Sequence, residues 1–165
     1  MSAMRKLFVS LALSIGAVMI ATSSVGALSS PSTGAATLHP YDRSGVKARM
    51  SFVDTHDDNT GLTVTGTATG LDPHKLYVSL ISDNGSVPGG PQACEPTDHS
   101  IDEEEMFAGP WHVNADGTGT LFFVMSEGGY VPLSDFDTVS IREVTVPGRP
   151  DLFPLVACGQ ISKHK

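Results

Sequence analysis

The run Val46-Lys47-Ala48-Arg49-Met50-Ser51-Phe52, followed after a turn by Leu62-Thr63-Val64-Thr65-Gly66-Thr67-Ala68-Thr69, carries the clearest structural signal in the chain. In both halves apolar or small residues alternate strictly with polar ones. That period of two places one set on a buried face and the other in solvent, as a β-strand requires. The Thr row at 63, 65, 67 and 69 suits a solvated sheet face, because β-branched side chains pack well on a pleat. Between the runs, Asp57-Asp58-Asn59-Thr60-Gly61 has turn chemistry, so the two are read as neighbouring strands.

Working outward, Leu76 to Ile81 reads as a third strand, Trp111 to Ala115 and Leu121 to Met125 as a hairpin about Asp116-Gly117-Thr118-Gly119, and Asp137 to Val144 and Leu155 to Ile161 as two more. Asp83 to Pro110 is rich in Gly, Pro and acid, including Pro88-Gly89-Gly90-Pro91 and Asp102-Glu103-Glu104-Glu105, and reads as one long loop. No ten-residue stretch after the N-terminal region has helical periodicity. Seven or eight short strands with turn signals predict an all-β Greek-key sandwich or barrel, with an immunoglobulin-like sandwich as the competing architecture.

At the N-terminus, Arg5 and Lys6 precede the apolar run Leu7 to Ala21, and Val25-Gly26-Ala27 supplies small residues for cleavage. This predicts a signal peptide over 1–27 and a protein that is secreted or extracytoplasmic, with no membrane span after cleavage. Leu28 to Thr37 is mostly Ser, Gly, Ala and Thr, so residues 28–45 are expected to be a flexible leader and 46–163 the β-sandwich domain. Cys94 and Cys158 are the only cysteines. In an exported chain such a pair predicts a disulfide, here one tying the long loop to the last strand, worth on the order of 4 kcal/mol in the chain-entropy model.

The 165 residues carry 10 Lys plus Arg against 18 Asp plus Glu, a formal charge of −8, which removal of Arg5 and Lys6 makes more negative. An acidic protein of this kind is a poor match for nucleic acid, whose binding depends on cations that displace counterions. There is no Gly-x-Ser-x-Gly segment, and the expected disulfide leaves no Cys as a nucleophile. The six His, at 39, 56, 74, 99, 112 and 164, show no His-x-His or His-x3-His spacing. His39 and His164 are expected in mobile termini, and Trp111 in the sandwich core or under the long loop.

From Gly66 onward the chain resembles the copper/zinc superoxide dismutases. The resemblance is carried by Val64-Thr65-Gly66, Gly70-Leu71, Asp83-Asn84, Gly90-Pro91, Asn114-Ala115-Asp116 with Gly117, and Leu155-Val156-Ala157-Cys158-Gly159-Gln160-Ile161, which is similar to the family's terminal Leu-Ala-Cys-Gly-x-Ile. It implies an eight-stranded Greek-key barrel. The family's copper strand carries His-x-His, and the matching positions are Tyr77 and Ser79; Gln92 stands at the bridging His and Arg142 at the last copper ligand. The family's guiding Arg falls near Leu155, its loop Cys matches Ser86, and its zinc ligands have no counterpart at recognisable spacing. Copper needs a preorganised set of nitrogen ligands that these residue types do not supply.

The expectation is therefore a dismutase-like domain without catalytic residues, cofactor or metal, with a binding or structural role and an unknown partner. Two readings compete with it: a metal-dependent superoxide dismutase or copper-handling protein using copper or zinc, and an immunoglobulin-like adhesion or envelope module.

Overall fold

The computed structural model describes residues 31–55, 61–82, 105–125, 132–146, 148 and 153–164. The expected signal peptide and its cleavage site lie outside them. Nine strands are described: β1 (Ser32–Pro40), β2 (Lys47–Asp54), β3 (Leu62–Thr69), β4 (Tyr77–Ser82), β5 (Glu105–Pro110), β6 (His112–Val113), β7 (Gly119–Met125), β8 (Thr138–Glu143) and β9 (Leu155–His164). They form one sheet in the order β5-β4-β8-β9-β1-β2-β3-β7-β6, with every neighbouring pair antiparallel. The two ends of that order, β5 and β6, are joined in the chain by the single residue Trp111. The sheet thus nearly closes on itself as a barrel, which leaves little unpaired edge. A single curved sheet of this kind is barrel-like where the alternation of residues alone left sandwich and barrel equally open.

The alternation read from residues 46–69 is realised as expected. Ala48, Met50, Phe52 and Asp54 of β2 point inward, as do Leu62, Val64 and Ala68 of β3, against Ile81, Val139, Ile141 and Leu121 from the other strands. Phe52 is fully buried, and a side chain of that size contributes about 2–3 kcal/mol by leaving water.

Three expectations need correction. Residues 28–45 are not all leader, because 32–40 form β1, held between β2 and β9. Gly34, Ala36 and Leu38 face the core, and a Cβ added at Gly34 would stand 3.1 Å from Ile161 Cγ2 and 3.2 Å from Leu133 Cδ2. Small residues there permit close packing; composition taken alone could not distinguish that from an inability to pack. Consequently His39 and His164 lie on paired strands, not in mobile ends. Second, the expected loop over Asp83 to Pro110 ends sooner, since 105–110 form β5 along β4, with a bulge between Ser79 and Leu80. Residues 83–104 lie outside the described part. Third, the strand expected from Trp111 to Ala115 contracts to β6, with Trp111 in the bend before it.

The β6–β7 hairpin uses the turn chemistry that the sequence announced. The Asn114 N–H donates to the Thr118 carbonyl at 2.8 Å, and Gly117 sits at φ 79°, where a Cβ is disfavoured. The Thr118 hydroxyl and N–H both donate to the Asp116 carboxylate, at 2.7 and 3.0 Å, and hold its pKa below the ordinary value.

The β1–β2 hairpin departs from that economy. Asp42 and Arg43 occupy its tip at φ 43° and 67°, the left-handed region that glycine adopts without a Cβ penalty. Arg43→Gly removes that penalty while adding freedom to the unfolded chain. The expected result is a net gain of about 0.5–1 kcal/mol, read as a higher urea midpoint.

Candidate functional site

The expected counterparts of copper ligands are Tyr77, Ser79, Gln92 and Arg142. Strand β4 (Tyr77-Val78-Ser79-Leu80-Ile81-Ser82) alternates Tyr77, Ser79 and Ile81 inward with Val78 and Leu80 outward, yet all five are buried. Tyr77 is part of the barrel core, and its hydroxyl accepts a hydrogen bond from the Asp72 N–H at 3.1 Å. The Ser79 hydroxyl, fully buried, accepts from the Trp111 indole Nε1–H at 2.9 Å and faces Met50 Sδ at 3.8 Å. The Trp111 N–H donates to the Tyr77 carbonyl at 2.9 Å, so the ring lies across the inside of β4. Trp111 is in the core, as expected. Its ring explains a residue on the facing strand: a Cβ on Gly66 would come within 2.8 Å of Trp111 Cη2.

Arg142 is on the other side of the sheet. It pairs in register with Val78, the residue between Tyr77 and Ser79, and so projects away from the core. Its side chain is buried, with Nε donating to the Ser140 hydroxyl at 3.4 Å and Nη1 to the Phe153 carbonyl at 3.3 Å. The three described positions therefore do not converge: two are inside the barrel and occupied by hydrogen bonds, and the third is outside. They do not fit a shared copper site. Gln92 lies outside the described residues.

On the outward side, Arg142 belongs to a second buried layer that sequence alternation did not reveal. Leu80 and Cys158 flank Ser140 across β4, β8 and β9, and Val78 and Leu155 flank Arg142. All are buried, although none belongs to the barrel core. One signal was available: Tyr77-Val78-Ser79-Leu80-Ile81 is nearly continuously apolar, which is how a strand covered on both faces reads. Cys158 is not a free thiol. Cys94, its expected partner, lies outside the described residues.

The described histidines are dispersed over the surface. His39 is on β1, His74 in the turn before β4, His112 on β6 and His164 at the end of β9, all exposed. His56 and His99 lie outside the described residues. Among the described residues no three His, Cys, Asp or Glu side chains come together, and no helix is long and apolar enough to cross a membrane.

What the barrel does assemble is a pair of open depressions on its outer surface, to either side of β1. One, of about 430 Å3, lies over β1, β2 and β3 and is bordered by His39, Lys47, Arg49 and Thr67; the other, of about 550 Å3, lies over β1 and β9 and is bordered by His39, Gln160 and Ser162. Neither was legible in the sequence, because their borders come from four strands with long separations in the chain. Gly159 forms part of the floor of the second, packed directly against the Thr37 carbonyl with no room for a Cβ. No family model matches the chain, and no curated protein matches it.

Proposed function

We propose that this chain is an exported, non-catalytic domain on a copper/zinc superoxide dismutase-like scaffold, acting outside the cytoplasm by binding or as a structural element. The observation that carries the reading is the orientation of β4: Tyr77 and Ser79 face the core and make internal hydrogen bonds, while Arg142 lies on the opposite side. Copper cycling needs nitrogen ligands aimed at one point. With β5 and β6 counted as one strand bent at Trp111, the circuit runs β1-β2-β3-β7-β6/β5-β4-β8-β9 and returns to β1. The β3–β4 and β7–β8 connections each cross to a non-neighbouring strand. That supports the eight-stranded Greek-key barrel implied by the resemblance, and it favours it over two separate immunoglobulin-like sheets. Arg5, Lys6 and the apolar run before Ala27 support export, and the even cysteine count supports a Cys94–Cys158 bond.

The test is recovery of the protein from outside the producing cell, followed by thiol labelling of the denatured, unreduced chain and metal analysis after copper and zinc exposure with a superoxide assay. The expected result is a chain starting after Ala27, without accessible thiols, stoichiometric copper or turnover. Two reactive thiols would remove the disulfide. Stoichiometric copper with turnover lost on chelation would replace this reading with a metal-dependent dismutase.

A further inference from the structure

Charge is segregated among the described residues. The described cations outside the β1–β2 hairpin are engaged: Lys75 pairs with Glu143 at 2.9 Å, Lys163 with Asp137 at 3.0 Å, and Arg142 is buried. The remaining three, Arg43, Lys47 and Arg49, are all exposed on the hairpin and have no hydrogen-bond or ion-pair partner among the described residues. Among the described outward-facing residues of β1, β2, β3, β7 and β9 there is no Asp or Glu. The exposed carboxylates Asp72, Asp116, Asp135 and Asp137 sit in turns and joints, and Asp42 in the hairpin tip. In a chain of net charge −8, the described part of this sheet face thus carries the exposed cations Lys47 and Arg49 and no carboxylate.

The two depressions share Thr37 and His39 of β1 and lie side by side, a two-part trough over β3, β2, β1 and β9. At about 4.8 Å per strand it is about 15 Å across. Register places Thr37, Arg49 and Thr67 side by side across it, and Lys47 is two residues from Arg49 on the same face, about 7 Å away. Gln160 adds an amide donor and acceptor at the far end.

We infer that this trough binds an acidic polysaccharide, one whose sugars carry carboxylate or sulfate groups. Its cations answer the acidic groups, and its Thr hydroxyls and Gln160 answer the sugar hydroxyls between them. Duplex nucleic acid presents one charge per about 1.7 Å and would repel the acidic remainder of the barrel, with few cations to offset it. A polysaccharide with an acidic group on every sugar or every second sugar matches two cations about 7 Å apart on one strand. The inference deepens the proposed function and rests on its extracytoplasmic setting, but not on the fate of the metal-ligand positions.

The experiment is calorimetric titration of the purified protein with an oligogalacturonate, neutral dextran and double-stranded DNA over a range of salt concentrations, with sedimentation velocity alongside. Variants are Lys47→Gln with Arg49→Gln, and Lys75→Gln as a control at a cation that borders neither depression. The expected result is saturable oligogalacturonate binding that weakens with salt and no dextran binding. In the double variant affinity falls about tenfold or more and the slope of log K against log salt falls by about two, with thermal stability unchanged, while Lys75→Gln binds normally. No binding, equal binding by the double variant, or tighter binding of DNA would overturn the inference. So would a dimer that the double variant dissolves, since the face would then receive a second copy of the chain. Copper-dependent turnover would sink the non-catalytic reading and leave the binding result standing; absent binding would do the reverse.

Discussion

Placing a His-x-His spacing on β4 with the double substitution Tyr77→His and Ser79→His is expected to destabilise the barrel by about 3–5 kcal/mol and to bind no stoichiometric copper. The cost follows from the inward aspect of β4. Replacing Ser79 deprives the buried Trp111 indole N–H of its acceptor at 2.9 Å, and an unsatisfied buried donor costs about 1–3 kcal/mol. An imidazole at 79 also needs space beside Met50 and Trp111, where overpacking costs about 1–3 kcal/mol more. Tyr77→His removes the hydroxyl that receives the Asp72 N–H. Urea denaturation of the double variant, with copper titration of whatever fraction stays folded, reads both outcomes. Tight copper binding at unchanged stability would mean that residues 77 and 79 reach the outer face, and would undo the argument for a non-catalytic scaffold.

Asp54→Ala is expected to lose about 2–4 kcal/mol. Asp54 ends β2, is fully buried, and its Oδ2 accepts the Leu133 N–H at 3.0 Å and the Ser32 hydroxyl at 3.4 Å. The first bond fastens the 3-10 turn Leu133–Asp135 over one end of the barrel, where Leu133 and Phe136 join the core. Removing the carboxylate leaves the Leu133 N–H buried without its acceptor. Asp54→Asn keeps an oxygen in place and should lose less than the alanine variant. Equal urea midpoints for the two would assign the effect to lost charge and not to the hydrogen bond.

Much of the barrel was readable from residues 46–69, where each strand has one wet and one dry face and therefore an alternating sequence. The hairpin at Asn114–Thr118 was readable for a related reason, since its local hydrogen bonds depend on the residues of the turn itself. β1 was not: Gly34 and Ala36 carry almost no hydrophobic signal, and their fitness for the core is set by Ile161 and Leu133, which arrive from far along the chain. The positions expected to correspond to metal ligands divide in the same way. Their residue types, Tyr77, Ser79 and Arg142, already spoke against copper, but which face each occupies depends on strand register, and a shift of one residue exchanges the faces.

The sequence by itself determined an acidic, all-β chain with alternating strands, Asx- and Gly-built turns and no His-x-His or His-x3-His spacing, because composition and short-range periodicity are local properties. Tertiary structure alone decided that the sheet nearly closes, that Tyr77 and Ser79 look inward while Arg142 looks out, and that Lys47, Arg49 and His39 border one trough. Each of those depends on pairing between strands distant in the chain, where register sets both the face and the neighbour of every side chain.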